Sequence, residues 1–343
     1  MIIEGRPIGA EHPPYVIAEI SNNHLADPER ACRLIEVAAR SGADAVKIQT
    51  YDADSLTIDS ARPEFIIRTP PWAGTSYYDL YRKIALPASF TERLFSVARD
   101  CGITIFSSPF DEGAVALLER LHCPAYKIAS FEICDDPLLK AVAATGRPVL
   151  VSTGVAQMTD IEETLRVLHE GGSRDVALLH CVSQYPARVT DMNLRSLDRL
   201  ASLGCPIGLS DHSLDHLAAM IAVARGAVLI EKHFTLSRAD GGPDASFSLE
   251  PDELVDLIRT VRSSWEALGS SDVLDQPRRP GSEHARSLFI VRSVKAGERV
   301  GPDDVRAIRP GLGLPPRSLA SVVGKRARRT LERGEPLQWE DIE

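Results

Sequence analysis

The chain has 343 residues, more than one hydrophobic core usually holds, so a large domain with a smaller companion is expected. Hydrophobic residues make up 44% and charged residues 25%, an ordinary balance for a soluble globular protein, and the net charge is −9. That charge argues against general nucleic-acid binding, which needs a basic face, but not against an anionic substrate, because a few lysines make a local positive pocket. The opening MIIEGRPIGAEHPP lacks the long apolar run of a signal peptide, and no stretch approaches the roughly 20 apolar residues of a membrane span. Cys32, Cys101, Cys123, Cys134, Cys181 and Cys205 form no C-x-x-C pair, and several sit in apolar runs. They read as reduced, buried small residues, as in a cytoplasmic protein.

In chain order, short β-branched runs alternate with amphipathic segments. The strands read YVIAEIS from Tyr15, AVKIQTY from Ala45, TIFSSPF from Thr104, AYKIAS from Ala125, PVLVSTG from Pro148, VALLHCVS from Val176, PIGLSDH from Pro206 and VLIEKHF from Val228. Most are followed by a helical pattern. From Asp27, Ala31, Leu34, Ile35 and Ala38 fall on one face and Gly42 marks the stop. A later helix starts near Pro251 and ends before Gly269. Eight strands alternating with helices over roughly 250 residues predict a (β/α)8 TIM barrel. A doubly wound open sheet is the rival, but no G-x-G-x-x-G follows the first strand.

The second strand-to-helix connection, from Asp52 to Pro87, is long, contains PPWAGTSYYDLY and is expected to form a lid or binding loop. From Gly269 to Ala285 the composition turns polar and rich in Pro, Gly and Ser, which predicts a linker. The expected organisation is a barrel over residues 1–268, a linker over 269–285 and a small domain over 286–343.

Polar residues gather at the carboxyl ends of the strand runs, the face where barrel enzymes build their sites. Lys47 and Lys127 supply fixed positive charge, and Ser108, Ser130, Ser152 and Ser210 supply hydroxyls, a set suited to phosphate or carboxylate. The competing reading for each lysine is a buried ion pair with Glu19 or Glu132. His212 and His233 end the last two strands, neighbours in a closed barrel, so two imidazoles would hold one divalent metal with positions left open. The competing reading is a pair of hydrogen-bonded core histidines. Asp211 and Glu231 are expected to orient the rings. Imidazole alone leaves Mn, Zn, Co and Fe open. His24 is expected to fix the first loop rather than bind metal. Arg309, in the glycine-bounded IRPGLGL, is either a solvated arginine or a residue that reaches into another site.

The strings AEISNNH, GADAVKIQTY, FSSPFD, YKIASFE, STG, YPARVTDMNL, GLSDHS, EKHFT, GGPDASFSLEP and RPGLGL together resemble the sialic acid synthase family. The resemblance runs in order from about Val16 to the C-terminus. It implies a TIM barrel followed by a small antifreeze-like (SAF) domain, in a domain-swapped homodimer where each small domain closes the partner's barrel. KIASFEI and GGPDASFSLEP are most similar to the pseudaminate branch, whose acceptor would be a 2,4-diacetamido-2,4,6-trideoxy hexose. Carried over by position, phosphoenolpyruvate falls to Lys47, Ser108, Lys127, Ser130, Ser152, Ser183 and Ser210. Some relatives have Thr where Ser108 stands and Asn where Ser183 stands. The sugar falls to Gln49, Tyr185, Asp244 and the Arg309 of the other copy. His212 and His233 take the divalent metal, expected to be Mn2+, with Mg2+ or Co2+ as alternatives. Glu19 and Glu132 match carboxylates near the reacting centre.

The alternatives are an N-acetylneuraminate or legionaminate synthase using a mannosamine-type sugar, a metal-dependent pyruvate aldolase, a Schiff-base aldolase with Lys127 as nucleophile, and a sugar-binding protein without turnover.

Overall fold

A strand that is apolar on both faces must be covered on both, and a helix after each strand supplies the outer cover. The computed structural model describes residues 1–68, 72–276 and 279–343. Thr69, Pro70 and Pro71 of the long second connection, and Pro277 and Arg278 of the linker stretch, lie outside the described residues. By contacts the chain divides into two units, Met1–Gly269 and Ser270–Glu343.

The first unit opens with an antiparallel hairpin of β1 (Ile2–Ile3) and β2 (Arg6–Pro7), its turn made by Glu4 and Gly5 at positive φ. Strands this short leave no readable pattern, yet Ile3 and Ile8 join the main core. Eight parallel strands follow: β3 (Tyr15–Glu19), β4 (Ala45–Thr50), β5 (Thr104–Pro109), β6 (Tyr126–Ile128), β7 (Val149–Ser152), β8 (Val176–Cys181), β9 (Ile207–Asp211) and β10 (Leu229–His233). They close into a barrel, with β10 hydrogen-bonded to β3. The expected TIM barrel is the observed fold, and each strand lies within its predicted run.

The helices obey the local rules. Asp27 caps the helix Pro28–Arg40 by accepting from the Glu29 amide at 2.9 Å, and Ala31, Leu34, Ile35 and Ala38 are buried as the spacing predicts. Gly42, just beyond, has φ 85°. Pro251 opens the helix Pro251–Leu268, which ends before Gly269. The long second connection holds a short helix, Ala53–Leu56, a 3-10 turn, Pro63–Phe65, and a further helix, Tyr77–Ile84. No described helix is long and apolar enough to cross a membrane.

The second unit has its own core, built around Leu288, Ile290, Val305, Leu314, Leu331 and Leu337. Strands β11 (Ser287–Ile290) and β12 (Val305–Ile308) pair antiparallel, Ser287 opposite Ile308. Arg309 follows β12 directly and is exposed. Its loop is fixed by Ser287, whose hydroxyl donates to the Pro310 carbonyl at 2.7 Å and accepts from the Gly313 amide at 2.8 Å. Gly313 has no room for a side chain, because a Cβ would strike the Leu288 carbonyl.

Candidate active site at the carboxyl end of the barrel

Strand register assembles the site. His233 lies opposite Glu19, Glu19 opposite Lys47, Gln49 opposite Ser108 and Cys181 opposite Ser210. Because side chains alternate along a strand, Lys47 and Gln49 share one side of β4.

Lys47 and Lys127 are both buried, and they meet on one carboxylate. Glu231 Oε1 lies 3.6 Å from each Nζ and accepts from Ser210 Oγ at 3.1 Å. Lys47 also pairs closely with Glu19 and donates to Ser108 Oγ at 3.4 Å. The set is nearly neutral, as buried charge must be. Burial pushes the Glu231 carboxyl up, but the two lysines outweigh it and hold it below the usual range. Burial raises Glu19 further than Lys47 lowers it, so of the two carboxylates in this cluster Glu19 is the readier to take a proton. Burial lowers Lys127, with Glu231 opposing only in part, whereas Lys47 is raised because Glu19 and Glu231 together outweigh its burial.

Glu231 does not orient a histidine ring as the sequence reading expects, because strand alternation turns it toward the lysines. Asp211 does not either: it points to the other side of the wall, where its Oδ2 accepts from Lys232 Nζ at 2.9 Å. Among the described residues neither carboxylate bonds an imidazole.

The imidazoles are held otherwise. His212 Nδ1 donates to the Val182 carbonyl at 2.8 Å, which leaves Nε2 as the nitrogen that could ligate a cation once deprotonated. His233 Nδ1 is buried without a hydrogen-bond partner, and Asp244 Oδ2 lies 3.6 Å from it. Burial, then the positive charge of His212 and the lysines, pulls His233 well below the ordinary histidine range, toward the neutral form. The two ring centroids are 5.3 Å apart. Tyr185 lies over His212 at 4.4 Å and Phe247 packs edge-on to His233 at 4.9 Å. Asp244 is buried, accepts from Asn22 at 3.0 Å, and is raised by burial to about 7.

The serines fall into two groups. Ser108 and Ser210 belong to the lysine cluster. Ser130 accepts from the Gly154 amide at 3.1 Å, and a Cβ at Gly154 would strike Ser183 Oγ and come within 2.8 Å of Ser130 Oγ. Ser152 is buried at the end of β7, its hydroxyl without a partner. Glu132 is half-buried in the 3-10 turn Ser130–Glu132, and burial raises its carboxyl to about 7. Gln49 is half-buried. His24 ties its own loop, accepting from the Ala26 amide at 3.0 Å. Arg309 belongs to the second unit. The long second connection lines a cleft of about 550 Å³ with Tyr51, Asp54, Tyr78 and Arg82, and none of the predicted site residues lines that cleft.

Cys181 has a role the sequence reading does not assign, since that reading takes all six cysteines as reduced, buried small residues. Its Sγ lies 3.9 Å from both Ser183 Oγ and His212 Nδ1. Burial pushes the thiol up, but His212, Ser130 and Lys127 outweigh it and the net shift is downward. Phe247 was also missed; the only hint is its place in GGPDASFSLEP.

The NeuB family matches residues 34–273 and the SAF domain residues 285–343. The chain is 37% identical over 334 residues to a pseudaminic acid synthase of Helicobacter pylori, covering 96% of this chain and 98% of that one. It is 33% identical to an N,N'-diacetyllegionaminic acid synthase of Legionella pneumophila, covering 98% and 97%. The crystal structure of an N-acetylneuraminic acid synthetase from Leptospira borgpetersenii superposes with a TM-score of 0.74 at 31% identity, covering 82% of this chain and 94% of that one. The chain therefore belongs to the NeuB family, that of the sialic acid synthases.

Proposed function

We propose that the protein is a pseudaminic acid synthase. It condenses phosphoenolpyruvate with 2,4-diacetamido-2,4,6-trideoxy-L-altrose and water, giving pseudaminic acid and phosphate. The observation that carries this reading is the meeting of two buried lysines, Lys47 and Lys127, beside the His212–His233 pair at the mouth of the barrel. The match to pseudaminic acid synthases over nearly the full chain supports the choice of acceptor.

Phosphoenolpyruvate is the ligand the lysines suit. Lys47 and Lys127 would hold its phosphate and carboxylate, with hydroxyls from Ser108, Ser130, Ser152, Ser183 and Ser210 completing the cradle. The arriving negative charge would be balanced by Glu19 taking a proton, which its raised pKa favours. Gln49, Tyr185, Asp244 and Arg309 of a second copy would hold the sugar. In the reaction C3 of the enol attacks the sugar aldehyde, water adds at C2, and the resulting hemiketal phosphate expels phosphate. One proton must reach the aldehyde oxygen and one must leave the water. Glu132, poised near neutrality, is the group assigned to that transfer.

His212 and His233 fit a divalent cation. Two imidazoles bound to one ion through bonds of about 2.1 Å place their centroids roughly 5 Å apart, close to the separation observed. Among the described residues no three His, Cys, Asp or Glu side chains group to hold a metal, so the remaining positions would belong to water and substrate. When bound, the ion, Mn2+ first and Mg2+ or Co2+ as alternatives, would polarise the aldehyde as a Lewis acid. The reading also takes the chain as a barrel over residues 1–268, a linker over 269–285 and an SAF domain over 286–343, in a cytoplasmic homodimer whose small domains close each other's barrels.

The test is phosphate release from phosphoenolpyruvate against a panel of amino sugars. The trideoxy-altrose should be turned over in preference to mannosamine-type sugars. Turnover only with the mannosamine type would make this a neuraminate or legionaminate synthase.

A further inference from the structure

Within the Glu-Lys-His run of β10, Glu231 serves the lysine cluster and His233 the imidazole pair. Lys232 serves neither, and by strand alternation it points to the other side of the wall. It is 1% exposed. Burying an ammonium is costly unless its donors are matched. Here Nζ meets Asp211 Oδ2 at 2.9 Å, the Ser213 carbonyl at 2.5 Å, Ser213 Oγ at 3.4 Å and the Asp215 carbonyl at 3.0 Å.

Those acceptors stand on both sides of His212. The other oxygen of Asp211 accepts from the Ser213 amide at 2.8 Å, closing a turn with His212 at its centre. The His212 carbonyl accepts from Ala187 at 3.1 Å and its ring donates to Val182 at 2.8 Å. Lys232 immediately precedes His233, so one side chain ties the strand that carries one imidazole to the loop that carries the other.

We infer that Lys232 is a positioning residue that sets His212 against His233 for a divalent cation, an inference that rests on the metal reading above. It touches no substrate and acts from behind the barrel wall. Releasing the clamp frees the 211–215 loop, so the imidazole pair is no longer preorganised and the ion must order it on binding.

The experiment is binding of Mn2+ alone to the full-length, metal-stripped protein, with thermal unfolding of the same samples. The variants are Lys232→Met and Lys232→Met/Asp211→Asn, the second removing the buried carboxylate left without its partner. Both should bind Mn2+ about 10–100-fold more weakly. The double variant should unfold near the parent temperature, and saturating Mn2+ should restore kcat. Unchanged Mn2+ affinity in the folded double variant, or a loss of turnover that saturating Mn2+ does not restore, overturns the inference and leaves the metal reading standing. A parent that binds no Mn2+ overturns both.

Discussion

Glu132 carries its carboxyl at about 7, raised chiefly by burial, in the short turn that follows β6. In its proposed role as proton shuttle Glu132 would work near neutrality, so Glu132→Gln should lower kcat by about 10²–10⁴-fold and remove a break near pH 7 from the rate profile. The same shift bears on stability. The folded carboxyl binds its proton more tightly than the unfolded one, so its contribution is whole below about 4.5 and is lost as pH rises through about 7. Urea unfolding of parent and Glu132→Gln at pH 4.5 and pH 8 should show the variant gaining on the parent with rising pH, by on the order of 3 kcal/mol at most. Equal pH dependence in the two proteins would contradict the buried carboxyl. At the proposed metal site, His233→Ala should abolish Mn2+-dependent turnover, read by phosphate release. What the sequence conveyed here was chemistry at strand ends, not partnership. Lys47, Lys127, His212 and His233 stand out because polar residues close apolar runs. That Glu231 bridges two lysines, and that Cys181 faces His212, depends on which strands become neighbours and on their stagger. A single strand's pattern contains neither.

Strands and helices were legible because each obeys a local rule. The helix at Pro28 has its cap, its buried face and its glycine stop within one short window. The hairpin β1–β2 has only two-residue strands and so no periodicity to read. Close backbone approach is equally silent in sequence. Gly208 lies in β9 where a Cβ would come within 2.7 Å of the Leu229 carbonyl and 3.2 Å of Leu179. Gly208→Ala should therefore cost about 1–3 kcal/mol in urea unfolding, by forcing β9 from its neighbours. Gly154, after β7, crowds Ser130 and Ser183 instead. Gly154→Ala should displace those hydroxyls and raise KM for phosphoenolpyruvate about tenfold, from a loss near 1.4 kcal/mol. Steady-state kinetics with unchanged KM would remove both serines from the cradle.

At the scale of the molecule, the barrel was readable from eight alternating runs, and its closure by β10 on β3 brings the first and last strand ends together. Assembly is written in no run of residues. Arg309 lies in the second unit, and the proposed dimer gives it a role in the other copy's barrel. Arg309→Ala should raise KM for the sugar, and a mixture of Arg309→Ala and His233→Ala chains should regain activity, because one hybrid site then has both residues intact. A mixture no more active than the Arg309→Ala chains alone would contradict the swap. The central claim is that the lysine cluster and histidine pair join phosphoenolpyruvate to a trideoxy amino sugar. The most direct measurement is the stoichiometry of phosphate and nine-carbon sugar formed from phosphoenolpyruvate, with pyruvate and chelator as separate arms. The account predicts one phosphate per product, no product from pyruvate, and no turnover in chelator until Mn2+ is restored. Product formed from pyruvate, or from phosphoenolpyruvate without phosphate release, would contradict it.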